Sequence, residues 1–314
     1  MKVYNHFING KWIEPIKNEY FDTENPFTGE VWAKVGRGCE KDADLAVKAA
    51  KAAFDTGAWA DMRPTQRGKL LVRLAEIIER ESERLANIEV RDNGKLITEM
   101  SAQTKYLAEW YRYFGGLADK IEGAVLPADR PGIFNFTRYE PLGVIGMITA
   151  WNSPLLLLAW KLAPALAAGN TAIIKPSEFT SASSLEFMEL VNEAGFPKGV
   201  VNCITGYGLE VGAALVEHPD VAKIASACGY DWIKPDMEHA TYDIDMVSQM
   251  CISALDVGCT PVVRIPGKQH FHASRILDGG AQGVIVPHVD TVEEAKTAVD
   301  WCKFPPVGHR SSPG

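Results

Sequence analysis

Three turns in the first half of the sequence carry side chains that could do chemistry. They are Trp-Asn-Ser-Pro at 151–154, Lys-Pro-Ser-Glu at 175–178 and Gly-Tyr-Gly-Leu-Glu-Val-Gly at 206–212. The Asn152 amide could donate to an oxyanion, and Lys175 with Glu178 could hold ribose hydroxyls. Glycines let a backbone approach a ligand closely. These groups together predict a site for a ribose and a reacting oxyanion.

Each turn also has a simpler interpretation. Asn152 could cap the helix that follows it, and Lys175 and Glu178 could be solvated charges. The glycines at 206, 208 and 212 follow a G-x-G-x-x-x-G spacing, which departs by one residue from the usual dinucleotide-binding pattern. That spacing alone is a weak signal.

The elements around the turns alternate between strand and helix. Apolar runs predict strands at 144–150, 171–174 and 200–205, and helical spacing predicts helices at 155–167, 182–194 and 209–217. This order favours a Rossmann-like parallel sheet, where ligands bind beyond the carboxyl ends of the strands. All three turns then lie at one edge of one sheet, which favours the chemical interpretation.

Upstream, we predict a hairpin around Asn9 and Gly10, a strand at 29–35, long helices from Lys41 to Leu96 and a hairpin-like region at 123–139.

Length and composition restrict the class of protein. The chain has 314 residues, is 46% hydrophobic and carries a formal charge of -8 without a basic run, so small molecules are better partners than nucleic acid or an anionic membrane. The N-terminus lacks the apolar segment of a signal peptide, and the most apolar stretch, 154–168, is too short to cross a bilayer. Six cysteines without a C-x-x-C pair fit a reducing cytoplasm.

The first half resembles NAD(P)-dependent aldehyde dehydrogenases over about residues 5–225. The resemblance rests on the three turns, on Asn-Pro-Phe-Thr-Gly at 25–29 and on Pro-Leu-Gly-Val-Ile-Gly at 141–146, in that family's order. It implies that Asn152 helps form an oxyanion hole and that Lys175 and Glu178 bind the adenosine ribose, with NAD favoured over NADP. The residues that it assigns to the cofactor are Trp151, Lys175, Ser177, Glu178, Gly206, Gly208 and Gly212.

The resemblance stops before that family's reactive groups. Aldehyde oxidation there uses a cysteine thiolate and a glutamate base. The expected F-T-G-S, E-L-G-G and G-Q-x-C segments do not follow residue 225. We interpret Cys203, in a predicted strand, and Cys302 as structural, so we expect this chain to lack intact activity.

A different pattern begins after residue 225, where five of the seven histidines fall. Strands at 231–237, 260–265 and 283–289 precede helices at 244–256, 268–277 and 292–301, which predicts about three units of a (β/α)₈ barrel. Asp236, Glu238, His239 and Arg264 follow strand ends, where such barrels carry their active groups. For Glu238 and His239, a solvated strand end and a catalytic site both stay open.

Residues 226–311 resemble the 2-oxo acid aldolase and citrate lyase-related family. The shared segments include Asp-Met-Glu-His at 236–239, Pro-Val-Val-Arg at 261–264, Leu-Asp-Gly-Gly at 277–280 and Phe-Pro-Pro-Val-Gly-His-Arg at 304–310. The resemblance implies that His239 is the acid/base, Asp278 its orienting carboxylate and Arg264 the charge that steadies an enolate. Class II members of that family use a divalent metal such as Mg²⁺ or Mn²⁺. Its usual glutamate and aspartate ligands are missing from this sequence, so we assign no metal ligand.

The sequence therefore predicts two incomplete domains, a dehydrogenase-like one at 1–225 and an aldolase-like one at 226–314. Three functions stay open: an NAD-dependent aldehyde dehydrogenase, a metal-dependent aldolase or lyase that releases pyruvate, and a chimeric, non-catalytic fragment that binds NAD. We expect the third or a short fourth strand of the truncated sheet to be an exposed edge, and we expect self-association from it.

Overall fold

The computed structural model describes residues 1–221, 232–239, 242–256 and 260–310. Its contacts divide the chain into two units, Met1–Ala222 and Lys223–Gly314. The junction predicted at 225/226 lies outside the described residues, so the domain bounds stay a prediction.

The first unit begins with five short strands. They are Lys2–Tyr4 (β1), His6–Ile8 (β2), Lys11–Ile13 (β3), Tyr20–Asn25 (β4) and Glu30–Gly36 (β5). β2 and β3 pair antiparallel around Asn9 and Gly10, whose φ angles of 54° and 72° are the left-handed values that a tight hairpin turn needs. The predicted hairpin and the strand predicted at 29–35 are confirmed. β5 pairs in parallel with β1 and antiparallel with β4.

Three long helices and a small hairpin follow. The helices are Glu40–Thr56 (α1), Pro64–Asn93 (α2) and Ile97–Leu117 (α3), and the hairpin consists of Val125–Leu126 (β6) and Asn135–Phe136 (β7). Proline begins α2, where its missing N–H has no helical partner to lose. Gly94 ends α2 at a φ of 74°, a left-handed cap that glycine adopts without strain. The predicted helices are confirmed, and α3 lies beyond their predicted limit.

The strand–helix alternation comes next. It comprises Val144–Thr149 (β8), Pro154–Ala168 (α4), Thr171–Pro176 (β9), Ala182–Ala194 (α5), Val201–Cys203 (β10), a π-helix at Gly208–Gly212 and Ala213–Glu217 (α6). β9 pairs in parallel with β8 on one side and with β10 on the other. The predicted parallel sheet is confirmed. Its strands are apolar and buried because helices cover them, as where Ala46, Val47 and Ala50 of α1 pack near Ile173.

The edges of this sheet differ from the prediction. The strand order is β3-β2-β10-β9-β8, so the N-terminal hairpin covers β10 through the antiparallel pair Phe7 and Cys203. Of the two strands expected at an edge, the third or a short fourth one, the third is not an edge, because a sequence distant along the chain supplies its partner. The short fourth piece is a single parallel bridge from Val221 to Val144, on the far side of β8.

The described residues of the second unit form three parallel strands and three helices. They are Trp232–Ile233 (β11), Ile244–Asp256 (α7), Thr260–Arg264 (β12), His270–Asp278 (α8), Gly283–Ile285 (β13) and Val292–Cys302 (α9). The strand order is β11-β12-β13, with a core that includes Val247, Val263 and Ile276. The predicted strand–helix order is confirmed, but the strands are shorter than predicted and a closed or partial barrel is not confirmed.

β11 ends just before Lys234 and Pro235. The pairing resumes beyond the proline as a parallel bridge between Asp236 and Arg264. Arg264 donates its backbone N–H to the Pro235 carbonyl at 3.0 Å, so proline contributes an acceptor where it cannot donate. The strand is therefore interrupted and not lost. Among the described residues of the chain, no helix combines the length and apolar character needed to span a bilayer.

Candidate functional site

The three turns singled out in the sequence leave the central sheet on the same edge. β8 ends at Thr149, β9 at Pro176 and β10 at Cys203, and the three strands are parallel neighbours. Their carboxyl ends therefore meet at one edge, with the β9 turn in the middle.

The turn after β8 presents an amide that makes no side-chain hydrogen bond to the described residues. The carbonyl Oδ1 of Asn152 is buried without a partner. The N-cap residue of α4 is Ser153, so the simpler interpretation of Asn152 as the helix cap was wrong. Trp151 beside it is 38% exposed. Asn152 thus retains its capacity to bind a polar atom that is not part of this unit.

The turn after β9 holds a buried ion pair. Nζ of Lys175 lies 3.0 Å from Oε2 of Glu178, and their side chains are only 3% and 13% exposed. Burial lowers the pKa of the Lys175 ammonium, and Glu178 offsets part of that effect. The interpretation of these residues as solvated charges was wrong. Ser177, also buried, accepts a bond from the Phe179 N–H at 3.4 Å, which closes the turn.

The glycines in the turn after β10 differ in how much space a side chain would have. Gly206 has a φ of 146°, and a Cβ there would lie 2.7 Å from Val211 Cγ2 and 3.1 Å from the Gly38 nitrogen. A Cβ at Gly208 or Gly212 would meet no atom within 4 Å. Gly206 is thus needed by the fold, whereas Gly208 leaves open space beside the backbone. The predicted helix at 209–217 forms as a π-helix followed by one turn of α6.

Two buried carboxylates of α2, neither of them predicted from the sequence, hold the helices that start beside these turns. Glu89 accepts the Leu155 N–H of α4 at 2.9 Å, and Asp92 accepts the Ala182 N–H of α5 at 2.9 Å. Neither helix has a side-chain cap of its own. The signal was present, because both carboxylates continue the buried stripe of α2 at 78, 82, 85, 89 and 92.

Neither Cys203 nor Cys302 is an evident nucleophile for this edge. Cys203 ends β10, but its side chain is fully buried, and burial raises the pKa of its thiol. Cys302 lies in the second unit, where burial likewise raises its pKa. A protonated thiol attacks carbonyls poorly, since the thiolate is the nucleophile.

In the second unit, the predicted polar residues form one network around a guanidinium. Nε of Arg264 donates to Oδ1 of Asp236 at 2.9 Å, a second nitrogen pairs with Oδ2, and Nη1 lies 2.9 Å from Oε2 of Glu238. Oε1 of Glu238 is 2.7 Å from Nε2 of His288, and its other oxygen is 3.9 Å from Nε2 of His239. Partial burial opposes ionisation of Asp236, yet the Arg264 bonds outweigh it and hold its pKa below the usual range.

Asp278 does not join that network. It ends α8 and accepts a bond from Arg310 at 2.6 Å. No hydrogen bond between Asp278 and His239 occurs in the described part of the chain. Asp236, three residues before His239, instead accepts the backbone N–H of His239 at 3.4 Å. The orienting role implied for Asp278 therefore has no support, because a cation from another segment already occupies its carboxylate.

Comparison with known proteins identifies the first unit. The sequence model of the aldehyde dehydrogenase family matches residues 12–233. The (Z)-2-((N-methylformamido)methylene)-5-hydroxybutyrolactone dehydrogenase of Acinetobacter baylyi is 46% identical over 248 residues, which are 79% of this chain and 50% of that protein. This chain belongs to the aldehyde dehydrogenase family. The human mitochondrial aldehyde dehydrogenase is 46% identical over 221 residues, 70% of this chain and 43% of that protein.

Solved aldehyde dehydrogenase structures agree. A mutant aldehyde dehydrogenase from Bacillus cereus superposes with a TM-score of 0.74 and 36% identity, over 85% of this chain and 52% of that one. A betaine aldehyde dehydrogenase from Staphylococcus aureus, in complex with NAD⁺, superposes with a TM-score of 0.73 and 33% identity, over 84% of this chain and 50% of that one. The chain thus spans about half the length of the aldehyde dehydrogenases it matches.

A second family model matches the other end of the chain. The model of the HpcH/HpaI aldolase/citrate lyase family covers residues 214–314. Both models match the stretch from 214 to 233, which contains the predicted junction. The two-part resemblance expected from the sequence is confirmed.

Proposed function

We propose that the first unit binds NAD at the shared edge of its parallel sheet, and that this chain by itself does not complete aldehyde oxidation. The observation that carries the first part is the convergence of three turns on that edge. Among them, Oδ1 of Asn152 is buried without a hydrogen-bond partner in the described residues, the Lys175–Glu178 pair is buried, and open space lies beside Gly208.

The residues at this edge offer hydrogen-bonding groups that match those of NAD. Lys175 and Glu178 offer a donor and an acceptor for ribose hydroxyls, and an acidic group there disfavours a 2′-phosphate, which selects NAD over NADP. Trp151, Ser177, Gly206 and Gly212 shape the turns that surround these groups. Bound NAD would supply a hydride acceptor. The side-chain NH₂ of Asn152 would donate to a carbonyl oxygen and stabilise negative charge that develops on it.

The second part of the proposal rests on the family's nucleophile segment, which is missing from this sequence. The F-T-G-S, E-L-G-G and G-Q-x-C segments do not occur among the 314 residues, and Cys203 is buried with a raised pKa. Without a thiolate no thiohemiacetal forms, and hydride transfer has no activated donor. We therefore infer a chimeric chain that binds NAD without oxidising aldehydes. Its described cysteines are free, in keeping with the cytoplasmic location expected from the sequence.

The experiment separates binding from turnover. Titration calorimetry of the purified chain with NAD should show saturable binding, whereas NADH absorbance should not rise when NAD is mixed with a series of aldehydes. Sustained NADH formation by the chain alone would overturn the second part. Failure to bind NAD would overturn the first.

The alternative activity, aldol cleavage to pyruvate, has less support. The family model on 214–314 and the Arg264 network at strand ends favour it. However, Asp236 and Glu238 already neutralise that guanidinium, and no cluster of metal-binding side chains occurs in the described residues. These residues do not fit a divalent metal. Pyruvate release from a hydroxy-2-oxo acid, assayed with Mg²⁺ and Mn²⁺, decides this alternative.

We also propose that the chain self-associates, through a surface other than the one expected. The β6–β7 hairpin exposes Val125, Phe134 and Phe136 by 67%, 72% and 59%. Contiguous apolar side chains of this size at a surface favour association. The hairpin therefore offers a contact surface besides the sheet edge expected from the sequence.

A further inference from the structure

The glycine turn at 206–212 packs directly against the segment that links β5 to α1. Gly38 donates its backbone N–H to the Thr205 carbonyl at 2.9 Å. A Cβ on Gly38 would lie 2.7 Å from that carbonyl oxygen and 3.0 Å from Val211 Cγ2. The backbone around Gly38 thus forms one wall of the turn.

Arg37, next to that glycine, contacts the turn at two places. Its Nε and Nη2 donate to the two carboxylate oxygens of Glu210 at 3.1 and 2.5 Å. Its guanidinium also lies over the ring of Tyr207, 5.0 Å from the centroid. The Tyr207 ring in turn packs on Phe21 of β4 at 5.5 Å. One side chain therefore ties the start and the middle of the turn to the neighbouring small sheet.

We propose that Arg37 is a positioning residue for NAD, a role that rests on the proposed function of this edge. Gly208, with open space beside it, gives the turn conformational freedom that would lower the fraction of molecules ready to accept a ligand. The forked bonds to Glu210 and the stacking on Tyr207 restrict that freedom, since a planar guanidinium fixes both distance and direction. Arg37 itself need not touch the cofactor.

Three variants test this proposal, with NAD affinity measured by calorimetry and stability by thermal unfolding. Arg37→Ala should weaken NAD binding about threefold to fivefold, as expected for losing a surface ion pair that preorganises a turn. Arg37→Lys, which keeps the charge but not the fork, should recover part of the affinity. The matched control is Arg80→Ala, because Arg80 makes a similar forked pair with Glu193 at 2.8 and 2.7 Å, between α2 and α5. Arg80→Ala should leave NAD affinity unchanged.

Hydrogen exchange of the amides at 206–212 gives a readout that does not depend on NAD. It should accelerate in Arg37→Ala and stay unchanged in Arg80→Ala. If the wild-type chain binds NAD and both alanine variants bind it equally well, the positioning role is overturned. Unchanged exchange at 206–212 in Arg37→Ala overturns it as well. If the wild-type chain does not bind NAD, the proposed function fails and the assigned role of Arg37 fails with it.

Discussion

Glu89 and Asp92 lie one helical turn apart on α2, and each accepts a backbone N–H from the first turn of a different helix. Glu89 receives Leu155 of α4, and Asp92 receives Ala182 of α5. Both carboxyls are buried, with additional bonds from Ser183 to Glu89 and from Thr23 to Asp92. α2 thus supplies the capping that the two helices lack. In doing so, the two carboxyl groups lose their contact with water.

The first prediction concerns pH. Burial raises the pKa of Glu89 from 4.5 to about 7 and that of Asp92 from 3.8 to about 7. Because the folded state holds these protons more tightly, their stabilising contribution is present at low pH and is lost as the pH rises through about 7. Glu89→Gln should remove its share, about 1–3 kcal/mol of pH-dependent free energy of unfolding.

Urea unfolding at pH 5 and pH 8 measures this effect. The difference between wild type and Glu89→Gln is the quantity to follow, because the other titrating groups cancel in it. Glu83→Gln, an exposed change on the same helix, is the control. If the difference in free energy of unfolding between wild type and Glu89→Gln is the same at pH 5 and pH 8, the pKa of Glu89 is not raised in the folded chain.

His6 should produce the opposite pH dependence. Its ring is fully buried, with Nδ1 3.2 Å from Thr205 Oγ1 and Nε2 3.9 Å from Asp42. Burial lowers its pKa to about 4, although Asp42 opposes the shift. The stabilising contribution is therefore present above the ordinary pKa near 6.5 and is lost as the pH falls through about 4.

Between pH 7 and pH 4, we expect the free energy of unfolding to fall by about 1–3 kcal/mol less in His6→Gln than in wild type. Thermal unfolding between pH 4 and 7 measures it. His309→Gln, at a highly exposed position, is the control and should leave the limb unchanged. Equal acid limbs in wild type and His6→Gln would show that the ring is protonated as easily in the folded chain as in the unfolded one.

The glycine turn allows a matched pair of substitutions. Gly206→Ala should cost about 2–3 kcal/mol, because the backbone is strained there for alanine and the methyl group meets Val211 and Gly38. Gly208→Ala should change stability by less than about 0.5 kcal/mol, since nothing lies near its Cβ.

Calorimetry with NAD completes that test. If the backbone at Gly208 approaches the cofactor, Gly208→Ala weakens NAD binding while the melting temperature stays unchanged. Equal stability losses in the two variants would contradict the different roles of these glycines.

Glu178→Gln should weaken NAD binding about tenfold, because the acceptor for a ribose hydroxyl loses its charge. The change also leaves the Lys175 ammonium buried beside a neutral amide, so a modest fall in melting temperature is expected. Glu193→Gln on the exposed end of α5 is the control. Calorimetry with NAD and NADP is the measurement, and the preference for NAD should shrink in Glu178→Gln. An unchanged preference would remove Glu178 from the ribose site.

The double variant Phe134→Ser/Phe136→Ser should reduce self-association. Both rings are exposed on β7 and just before it, and they pack on each other at 5.7 Å. Size-exclusion chromatography with light scattering measures the effect. Phe27→Ser removes an even more exposed ring from the β4–β5 turn and should not change the elution. Identical elution of wild type and the double variant would assign the association to another surface.

Local patterns predicted most of the elements. The helix predicted at 182–194 and the one predicted at 244–256 have the observed bounds, because their apolar spacing is regular and the sequence places Gly195 and Gly258 just after them. The placement of the three turns on one edge also followed from the order of strands and helices. These features depend on residues close together in the sequence.

Long-range contacts account for most of what was missed. The partner of Cys203 is Phe7, the acceptors for α4 and α5 come from α2, and Arg310 takes Asp278 away from its expected role. No local pattern specifies such pairings, since each depends on how distant segments pack. The π-helix at 208–212 was missed for a different reason: its hydrogen-bond register, and not its composition, distinguishes it from an α-helix.

The N-terminal hairpin that closes the sheet has a consequence for how the protein is made. His6 and Thr205 contact each other although they are 199 positions apart. A ribosome adds about 5–20 residues per second, so the hairpin emerges about 10–40 s before the strand that it must join. During that interval the apolar side chains of Phe7 and Ile8 lack their final partners, and a chaperone that shields nascent chains should raise the yield of correctly assembled sheet.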